Sequence, residues 1–231
     1  MAKKAAAEKI DELSVGDKLT NFIQHNKRIF TFSIIAISAC LVIFVASYII
    51  STKLHEKSLV EIEKLYSDYS NLKNDGLSSS GNEEVIKSQI QTLSEFGRKN
   101  SGYAGARAYA ILGELHSERK EWPEAEDAWT HAADKAPKIY LAPVSLFNAA
   151  LAAEEQGRNE SALKLYDRVL NYESSFPGAP RACFSTGRIH EEMKNTDAAL
   201  RAYQSVVEKW PSSPWAKYSQ SRIISINAVK L

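Results

Sequence analysis

The chain has 231 residues, which is enough for one or two domains. An apolar fraction of 44% and a charged fraction of 25% are those of a folded protein, and they exclude a chain that is disordered throughout. Lysine and arginine number 29 against 28 acidic residues, so the net charge of +1 gives no indication of a nucleic-acid partner. Two cysteines, Cys40 and Cys183, are too few for a disulfide scaffold.

The first long feature is an apolar run at residues 29–50, which contains no charge, proline or glycine. As a helix it would span about 33 Å, against about 30 Å of bilayer hydrocarbon, so we predict a transmembrane helix. A buried core helix is the alternative. The 28 residues before the run disfavour a cleaved signal peptide, and the acidic residues among them disfavour a mitochondrial presequence.

The apolar run divides the chain into a tail, residues 1–28, and a body, residues 51–231. On the body side of the run, the nearby basic residues are Lys53, Lys57 and Lys64. The tail carries six, the last two of them at the predicted membrane edge: Lys3, Lys4, Lys9, Lys18, Lys27 and Arg28. Because cytoplasmic flanks carry an excess of lysine and arginine, this pattern favours a cytoplasmic N-terminus. We therefore predict a single-pass protein of the bacterial inner membrane with its tail in the cytoplasm and its body outside.

Three segments of the body align without gaps, and they begin at Ala106, Pro143 and Pro180, 37 residues apart. They share a small-residue column, an alanine column and an aromatic column. The members are Gly113, Ala150 and Gly187; Ala125, Ala162 and Ala199; and Trp129, Tyr166 and Tyr203. We interpret each unit as two antiparallel helices that cross closely at the small residues, with the aromatic between neighbouring pairs. Pro137 and Pro211 would end two of the second helices, since proline cannot continue the helical hydrogen bonds.

These columns resemble the tetratricopeptide repeat family over residues 106–213, and Tyr109, Leu112 and Gly113 resemble the opening of its repeat. The resemblance implies three repeats in an α-solenoid that binds other proteins. Upstream, apolar spacing predicts a helix at 53–74 and a second one ending near Gly97, a degenerate pair within 51–105 with a turn-rich linker at 74–82. Downstream, a helix within 214–231 would cap the solenoid. The predicted fold class is all-α: one N-terminal transmembrane helix, then nine helices and no strand.

The sequence offers no catalytic, metal or cofactor site, so we predict a protein that is not an enzyme. The segment HEEMK at 190–194 lacks the second histidine of a zinc helix motif. His116 and His190 share one repeat column, facing the partner helix, and we interpret both as packing residues. Cys183 is interpreted as a small buried hydrophobe rather than a nucleophile.

The first helix of each repeat would line the inner face of the solenoid. The predicted peptide-binding residues are, in repeat order, Arg107 and Glu114; Val144, Phe147 and Leu151; and Arg181, Phe184 and Arg188. Family members that clamp a C-terminal carboxylate have basic and amide residues here, whereas this chain has Ala110, Phe147 and Phe184 in one such column. An apolar strip with basic edges favours an extended or partly unfolded polypeptide instead. Alternatively, Phe147 and Phe184 pack against the neighbouring unit.

The whole layout resembles a narrower bacterial family, the YfgM-type ancillary subunits of the SecYEG translocon. The stretches LTNFIQHNKR at 19–28 and LYSDY at 65–69 are similar. This resemblance implies a periplasmic adaptor that links translocon subunits to periplasmic chaperones or client polypeptides; homo-oligomers are also possible. Two alternatives remain, a regulatory subunit of an envelope enzyme complex and an organelle import receptor with cytosolic repeats.

Overall fold

The computed structural model describes residues 15–75 and 83–229, and this part of the chain consists of ten helices without a strand. The predicted all-α class is confirmed. In chain order the helices are α1 (Val15–His25), α2 (Lys27–Asp75), α3 (Glu83–Lys99), α4 (Gly102–Glu118), α5 (Trp122–Lys135), α6 (Leu141–Glu155), α7 (Asn159–Leu170), α8 (Ala179–Glu192), α9 (Thr196–Lys209) and α10 (Pro214–Val229). They belong to two units, Met1–Glu56 and Lys57–Leu231, with α2 contributing to both.

In the first unit, the apolar run at 29–50 lies within α2 and is not covered by other residues. Its most apolar window is entirely unburied, and Phe32 and Phe44 are each 71% exposed. Among the described residues, α2 is the helix that is long and apolar enough to cross a membrane, so it is compatible with a single-pass anchor. The helix continues to Asp75 because no proline or glycine occurs between residues 29 and 75. The helix predicted at 53–74 is therefore the second part of α2.

The second unit begins with a helix pair formed by the end of α2 and by α3. Ile62 and Tyr69 of α2 share a core with Leu93 of α3, and the Gln89 side-chain amide of α3 donates a hydrogen bond of 2.9 Å to the Leu65 carbonyl. From α3 onwards each helix packs against the next one in the chain. The predicted linker at 74–82 falls mainly on residues 76–82, which lie outside the described residues.

Glycines mark the points where helices approach most closely. A Cβ atom on Gly113 would lie 2.6 Å from the ring of Trp129, and one on Gly187 would lie 2.6 Å from the ring of Tyr203. Each ring therefore packs on the small residue of its own repeat. Gly97 has a similar role: it does not end α3, which continues to Lys99, and its missing side chain makes room for the Tyr109 ring of α4.

Prolines lie near the helix ends. Helices α5 and α9 end two residues before Pro137 and Pro211, as predicted. Pro143 and Pro180 lie in the first turns of α6 and α8, where the missing amide proton costs no hydrogen bond. The first helices of the repeats therefore begin up to four residues before the aligned segments do, at Gly102, Leu141 and Ala179.

The capping helix α10 packs against both helices of the third repeat. Ile226 of α10 is buried with Ala199 and Tyr203 of α9, and Ile223 packs against the same cluster. Ala216 and Ser219 are also buried, whereas Lys217 and Gln220 are exposed. The last repeat thus has its apolar side covered by the predicted cap.

Candidate polypeptide-binding surface

Three of the predicted binding residues lie on one face of α8, because they are spaced three and four positions apart. Arg181 is exposed, and Phe184 and Arg188 are half-buried. The first helices α6 and α8 and the cap α10 are linked side by side through this face. It is therefore formed by residues from three helices that are far apart in sequence.

The C-terminal part of the face is rich in aromatic rings. We call Phe147 of α6, Phe184 of α8, and Trp215 and Tyr218 of α10 the aromatic surface. The ring centres of Phe184 and Trp215 are 5.2 Å apart, those of Phe184 and Tyr218 6.3 Å, and those of Trp215 and Tyr218 5.6 Å. Tyr218 is 57% exposed. Such clusters of partly exposed rings bury large apolar areas when a partner binds.

Arg181 extends across this surface between two rings. Its guanidinium carbon lies 4.9 Å from the ring centre of Phe147 and 5.7 Å from that of Trp215, both within the range of a cation–π interaction. Within the described part of the chain, no acidic side chain pairs with Arg181. The surface therefore presents one uncompensated positive charge among aromatic rings.

The two predicted phenylalanines differ in how much surface they offer. Phe147 is 7% exposed, and its ring stands edge-on to Tyr166 at 5.5 Å and lies 6.4 Å from Phe176. Phe184 is half-buried and lies 5.4 Å from Tyr203 of its own repeat. Both rings thus pack within the structure, and Phe184 leaves more of its surface accessible. Val144 and Leu151 are half-buried beside the core of the middle repeat.

Arg188 forms two ion pairs, one of which joins neighbouring repeats. It donates hydrogen bonds to Glu154 of α6 and to Glu192 of α8. Tyr166 also donates to Glu154, at 2.6 Å. Burial lowers the pKa of Arg188, but the hydrogen bonds that it donates to Glu154 and Glu192 outweigh this and leave its pKa above the ordinary value. Arg188 therefore holds α6 and α8 together.

A matching pair joins the third repeat to the cap. Arg222 of α10 donates to Glu191 of α8, and Tyr203 donates to the same carboxylate at 3.0 Å. The hydrogen bond from Arg222 holds the pKa of Glu191 below its usual range. An open cleft of about 440 Å³ lies here, lined by Phe184, Arg188, Glu191, Glu192, Tyr203 and Arg222.

Arg107 and Glu114 of α4 belong to a separate group near the end of α2. Arg107 lies 4.5 Å from the ring centre of Tyr66 and 4.0 Å from the Glu114 carboxylate. Burial raises the pKa of Glu114, and Arg107 opposes this effect in part. The charges of Arg107 and Glu114 compensate each other, so this group is less suited to a charged ligand than the neighbourhood of Arg181.

His116 and Cys183 are both buried, and His116 also has a polar partner. The His116 Nδ1 lies 2.6 Å from the Glu121 carboxylate, which also accepts from Arg119 at 2.7 Å. Burial raises the pKa of Glu121, but these two partners together hold it below the ordinary value. Cys183 is 5% exposed, and burial raises the pKa of its thiol. In the described residues, no group of three or more histidine, cysteine, aspartate or glutamate side chains could hold a metal ion.

Sequence reasoning did not assign Trp215, Tyr218 and Arg222 to the binding face, because it treated α10 as a cap. A signal for one of them was present. Tyr218 lies 37 residues after Arg181, so it occupies the same column when the repeat is extended by one more period. The cap therefore acts as an additional first helix on this face.

The sequence pattern of the tetratricopeptide repeat family matches residues 147–214. A protein of Treponema pallidum (strain Nichols), named TPR repeat-containing protein, is 28% identical over 225 residues, which cover 91% of this chain and 93% of that protein. The chain is thus similar to tetratricopeptide repeat proteins, and the match to the repeat itself lies at residues 147–214. Two crystal structures of MamA are each 22% identical to it with a TM-score of 0.48; both cover 64% of this chain, and the matches cover 72% and 77% of theirs.

Tetratricopeptide repeats imply a scaffold for protein–protein interaction, because their stacked helices form extended surfaces. Proteins built from these repeats are in general not enzymes, and the matched family is not a catalytic one. Among the described residues, the aromatic surface and Arg181 combine partly accessible rings with a positive charge that has no acidic partner.

Proposed function

We propose that the protein is a membrane-anchored scaffold whose tetratricopeptide repeats bind a polypeptide partner at the aromatic surface. The observation that carries the proposal is the uncovered apolar run at 29–50 in the same chain as the repeats. Exposing such a run to water would be very costly. In a bilayer its apolar side chains contact the acyl chains, and the helix pairs its backbone N–H and C=O groups internally. The excess of basic residues in the tail supports a cytoplasmic N-terminus and a periplasmic repeat unit.

The partner at the repeats is an extended or partly unfolded segment that carries an apolar side chain next to an acidic one. The apolar side chain packs on Phe184, Trp215 and Tyr218, and the acidic one pairs with Arg181. The guanidinium of Arg181 already lies within cation–π distance of two rings, so little side-chain entropy is lost when it pairs with a carboxylate. The other predicted inner-face residues, Val144 and Leu151 among them, extend the contact towards the first repeat.

We further propose that the scaffold works beside the Sec translocon and passes emerging polypeptides to periplasmic chaperones. The support is the layout of tail, single span and repeat body, together with the juxtamembrane and tyrosine-bearing stretches that resemble the translocon-associated family. A position on the periplasmic side of the inner membrane suits this role, because the span keeps the repeats close to the translocon exit where client polypeptides emerge.

Site-specific photocross-linking in intact membranes tests this function. A photoreactive phenylalanine analogue replaces Tyr218, and a matched control places it at Gln220, which is exposed on the opposite side of the same helix. We expect position 218 to capture SecY or a periplasmic chaperone and position 220 to capture much less of either. Capture of cytosolic proteins alone would contradict the proposal, as would equal capture from the two positions.

Two additions make the experiment sharper. Arg181→Gln and Tyr218→Ala should each weaken binding of an isolated partner by about tenfold, as is typical for residues at the centre of an interface. Arg201→Gln, which removes an exposed charge from α9, is the matched control and should leave binding unchanged. Protease added to intact spheroplasts reaches the periplasmic side of the inner membrane and should digest the repeats; repeats that stay uncut until lysis would lie in the cytosol, as in an import receptor.

A further inference from the structure

Helix α1 has one apolar face. Leu19, Phe22 and Ile23 are spaced three and four residues apart, so they lie on the same side of the helix, and they are 57%, 58% and 41% exposed. Asn21 and Gln24 lie on the opposite side and are also exposed. Eleven residues make about three turns, which is long enough for a defined face.

The apolar face of α1 is continuous with the start of the apolar run. Helix α1 ends at His25, Asn26 forms a turn, and α2 begins at Lys27, two residues before the run. The Phe22 carbonyl accepts from both the backbone N–H and the side-chain amide of Asn26, at 3.1 and 3.0 Å. The ring of Phe22 contacts the ring of Phe30 edge-on, with centres 6.0 Å apart.

The charges around this face have one predominant sign. From residue 15 to residue 28 the chain carries Lys18, Lys27 and Arg28 against Asp17, a net charge of +2 by sequence. Lys27 and Arg28 are exposed and directly follow α1. Basic residues next to a membrane-exposed apolar face favour contact with anionic headgroups over contact with a neutral surface.

We propose that α1 is an interfacial helix that lies in the headgroup region of an anionic membrane, with Leu19, Phe22 and Ile23 towards the acyl chains. This inference rests on the proposed membrane anchor. The turn at Asn26 lies three residues before the apolar run, so a run that spans the bilayer would leave α1 at the depth of the headgroups. The occupant of the face is therefore the lipid surface itself, as for amphipathic helices of the same composition.

Environment-sensitive labels on the full chain in lipid vesicles test the placement. Cys183→Ala is made in every variant, and the native Cys40, an exposed residue in the middle of the run, carries the label that reports the anchor. In the other variants Cys40→Ala is combined with Phe22→Cys or Leu19→Cys for the apolar face, or with Asn21→Cys or Gln24→Cys as matched controls. The readouts are the emission maximum of the label and its quenching by brominated acyl chains or by aqueous iodide.

The expected result in vesicles with anionic lipid is a blue-shifted, lipid-quenched label at positions 19 and 22, and an iodide-quenched label at positions 21 and 24. If all four positions are quenched by iodide while position 40 is quenched by lipid, the inference is overturned and the anchor stands. If position 40 is quenched by iodide, the anchor itself fails. Protection of position 22 from iodide without quenching by lipid, and dependent on protein concentration, would assign the face to a second copy and overturn the inference.

The charge contribution has its own comparison. Replacing anionic by zwitterionic lipid should reduce the blue shift at position 22, and Lys27→Gln with Arg28→Gln should give the same reduction in anionic vesicles. Added salt should act in the same direction, because exposed charges are screened. An emission maximum that does not respond to lipid charge, to salt or to the two substitutions would refute the preference for an anionic surface.

Discussion

The middle repeat differs from its two neighbours in the small-residue column. In the first and third repeats, Gly113 and Gly187 leave no room for a side-chain carbon below the rings of Trp129 and Tyr203. The middle repeat has Ala150 in this column, and its methyl group is fully buried. The small-residue column therefore requires a residue small enough for the helix to pack closely against the aromatic ring. Two repeats have glycine there and one has alanine.

The same repeats differ in the opposite way at the turn between their two helices. Lys120 and Lys194 have φ values of 60°, and Gly157 of the middle repeat has a φ value of 67°. A left-handed conformation is unfavourable for lysine and easily reached by glycine. The left-handed turn is thus common to all three repeats. Glycine occupies the turn in the middle repeat, which has alanine in the small-residue column, and lysine occupies it in the two repeats that have glycine in that column.

The largest effect on stability is expected when the alanine of the middle repeat is introduced at the equivalent glycine of the first repeat. Gly113→Ala places a carbon within 2.7 Å of three atoms of the buried Trp129 ring, so the ring or the helix must move. We expect the free energy of unfolding to fall by about 2–3 kcal/mol, the cost of overpacking a core. Urea unfolding of the full chain in detergent micelles, followed by circular dichroism, measures it.

The matched control is the reverse change in the middle repeat. Ala150→Gly removes a methyl group and lowers helix propensity, so it should cost about 1 kcal/mol or slightly more. If Gly113→Ala were instead stabilising, as a glycine-to-alanine change in an exposed helix would be, the ring would not be fixed by the close approach. The close approach of ring and helix would then not explain why glycine occurs in this column.

A second, smaller effect concerns the ion pairs that join the repeats. The Glu154 side chain of the middle repeat is 15% exposed and accepts from Arg188, whereas the Glu191 side chain of the third is 27% exposed and accepts from Arg222. Arg188→Met should leave a largely buried carboxylate with Tyr166 as its remaining neutral donor, at a cost of about 1–2 kcal/mol. A double-mutant cycle with Glu154→Gln measures the coupling; a coupling near zero would mean that the pair does not join α6 to α8.

Much of the fold followed from the sequence because its signals repeat at one period. The small-residue and aromatic columns, the prolines after α5 and α9, and the apolar cap all depend on residue types with a strong local effect. The helix predicted to end near Gly97 ends two residues later, at Lys99. The contact of Gly97 with the Tyr109 ring of another helix was not predicted, since glycine both ends helices and allows close packing.

The turn column was missed for a related reason. Two of its three members are lysines, residues that give no sequence signal for a left-handed conformation. The aromatic surface was predicted in part: Phe147, Phe184 and Arg181 were named, but the role of Trp215 depends on how α10 docks, and apolar spacing within α10 does not reveal that. The repeat period therefore predicts the helices and their order, but it does not predict side-chain contacts between helices that are distant in sequence.

The turn column gives a third prediction, with effects of opposite sign in different repeats. Gly157→Ala forces a Cβ into a left-handed conformation without any steric contact within 4 Å, so it should destabilise by about 1 kcal/mol through the backbone alone. Lys194→Gly relieves the same conformation and should stabilise, by somewhat less because glycine also gains entropy in the unfolded chain. Thermal unfolding monitored by circular dichroism compares the two, with Lys217→Gly, in the first turn of α10, as the destabilising control. Destabilisation by Lys194→Gly would contradict the reading of the turn.

The smallest effect is expected at the ion pair between the third repeat and the cap, where Arg222 and Glu191 are more exposed than the equivalent pair of the middle repeat. Arg222→Met should lower the free energy of unfolding at neutral pH by about 0.2–1 kcal/mol. Because Arg222 holds the pKa of folded Glu191 below the value of about 4.3 in an unfolded chain, the stabilisation is complete above that value and is lost as the pH falls through the lower folded pKa. Urea unfolding at a series of pH values should therefore show the free energies of unfolding of the wild type and the variant converging in acid.

In a Glu191→Gln background, Arg222→Met should have no effect on stability at any pH. High salt should reduce the effect of Arg222→Met in the wild type, since both groups are accessible to ions. A difference that persists unchanged in acid would assign the effect to the apolar part of the Arg222 side chain rather than to the charge pair.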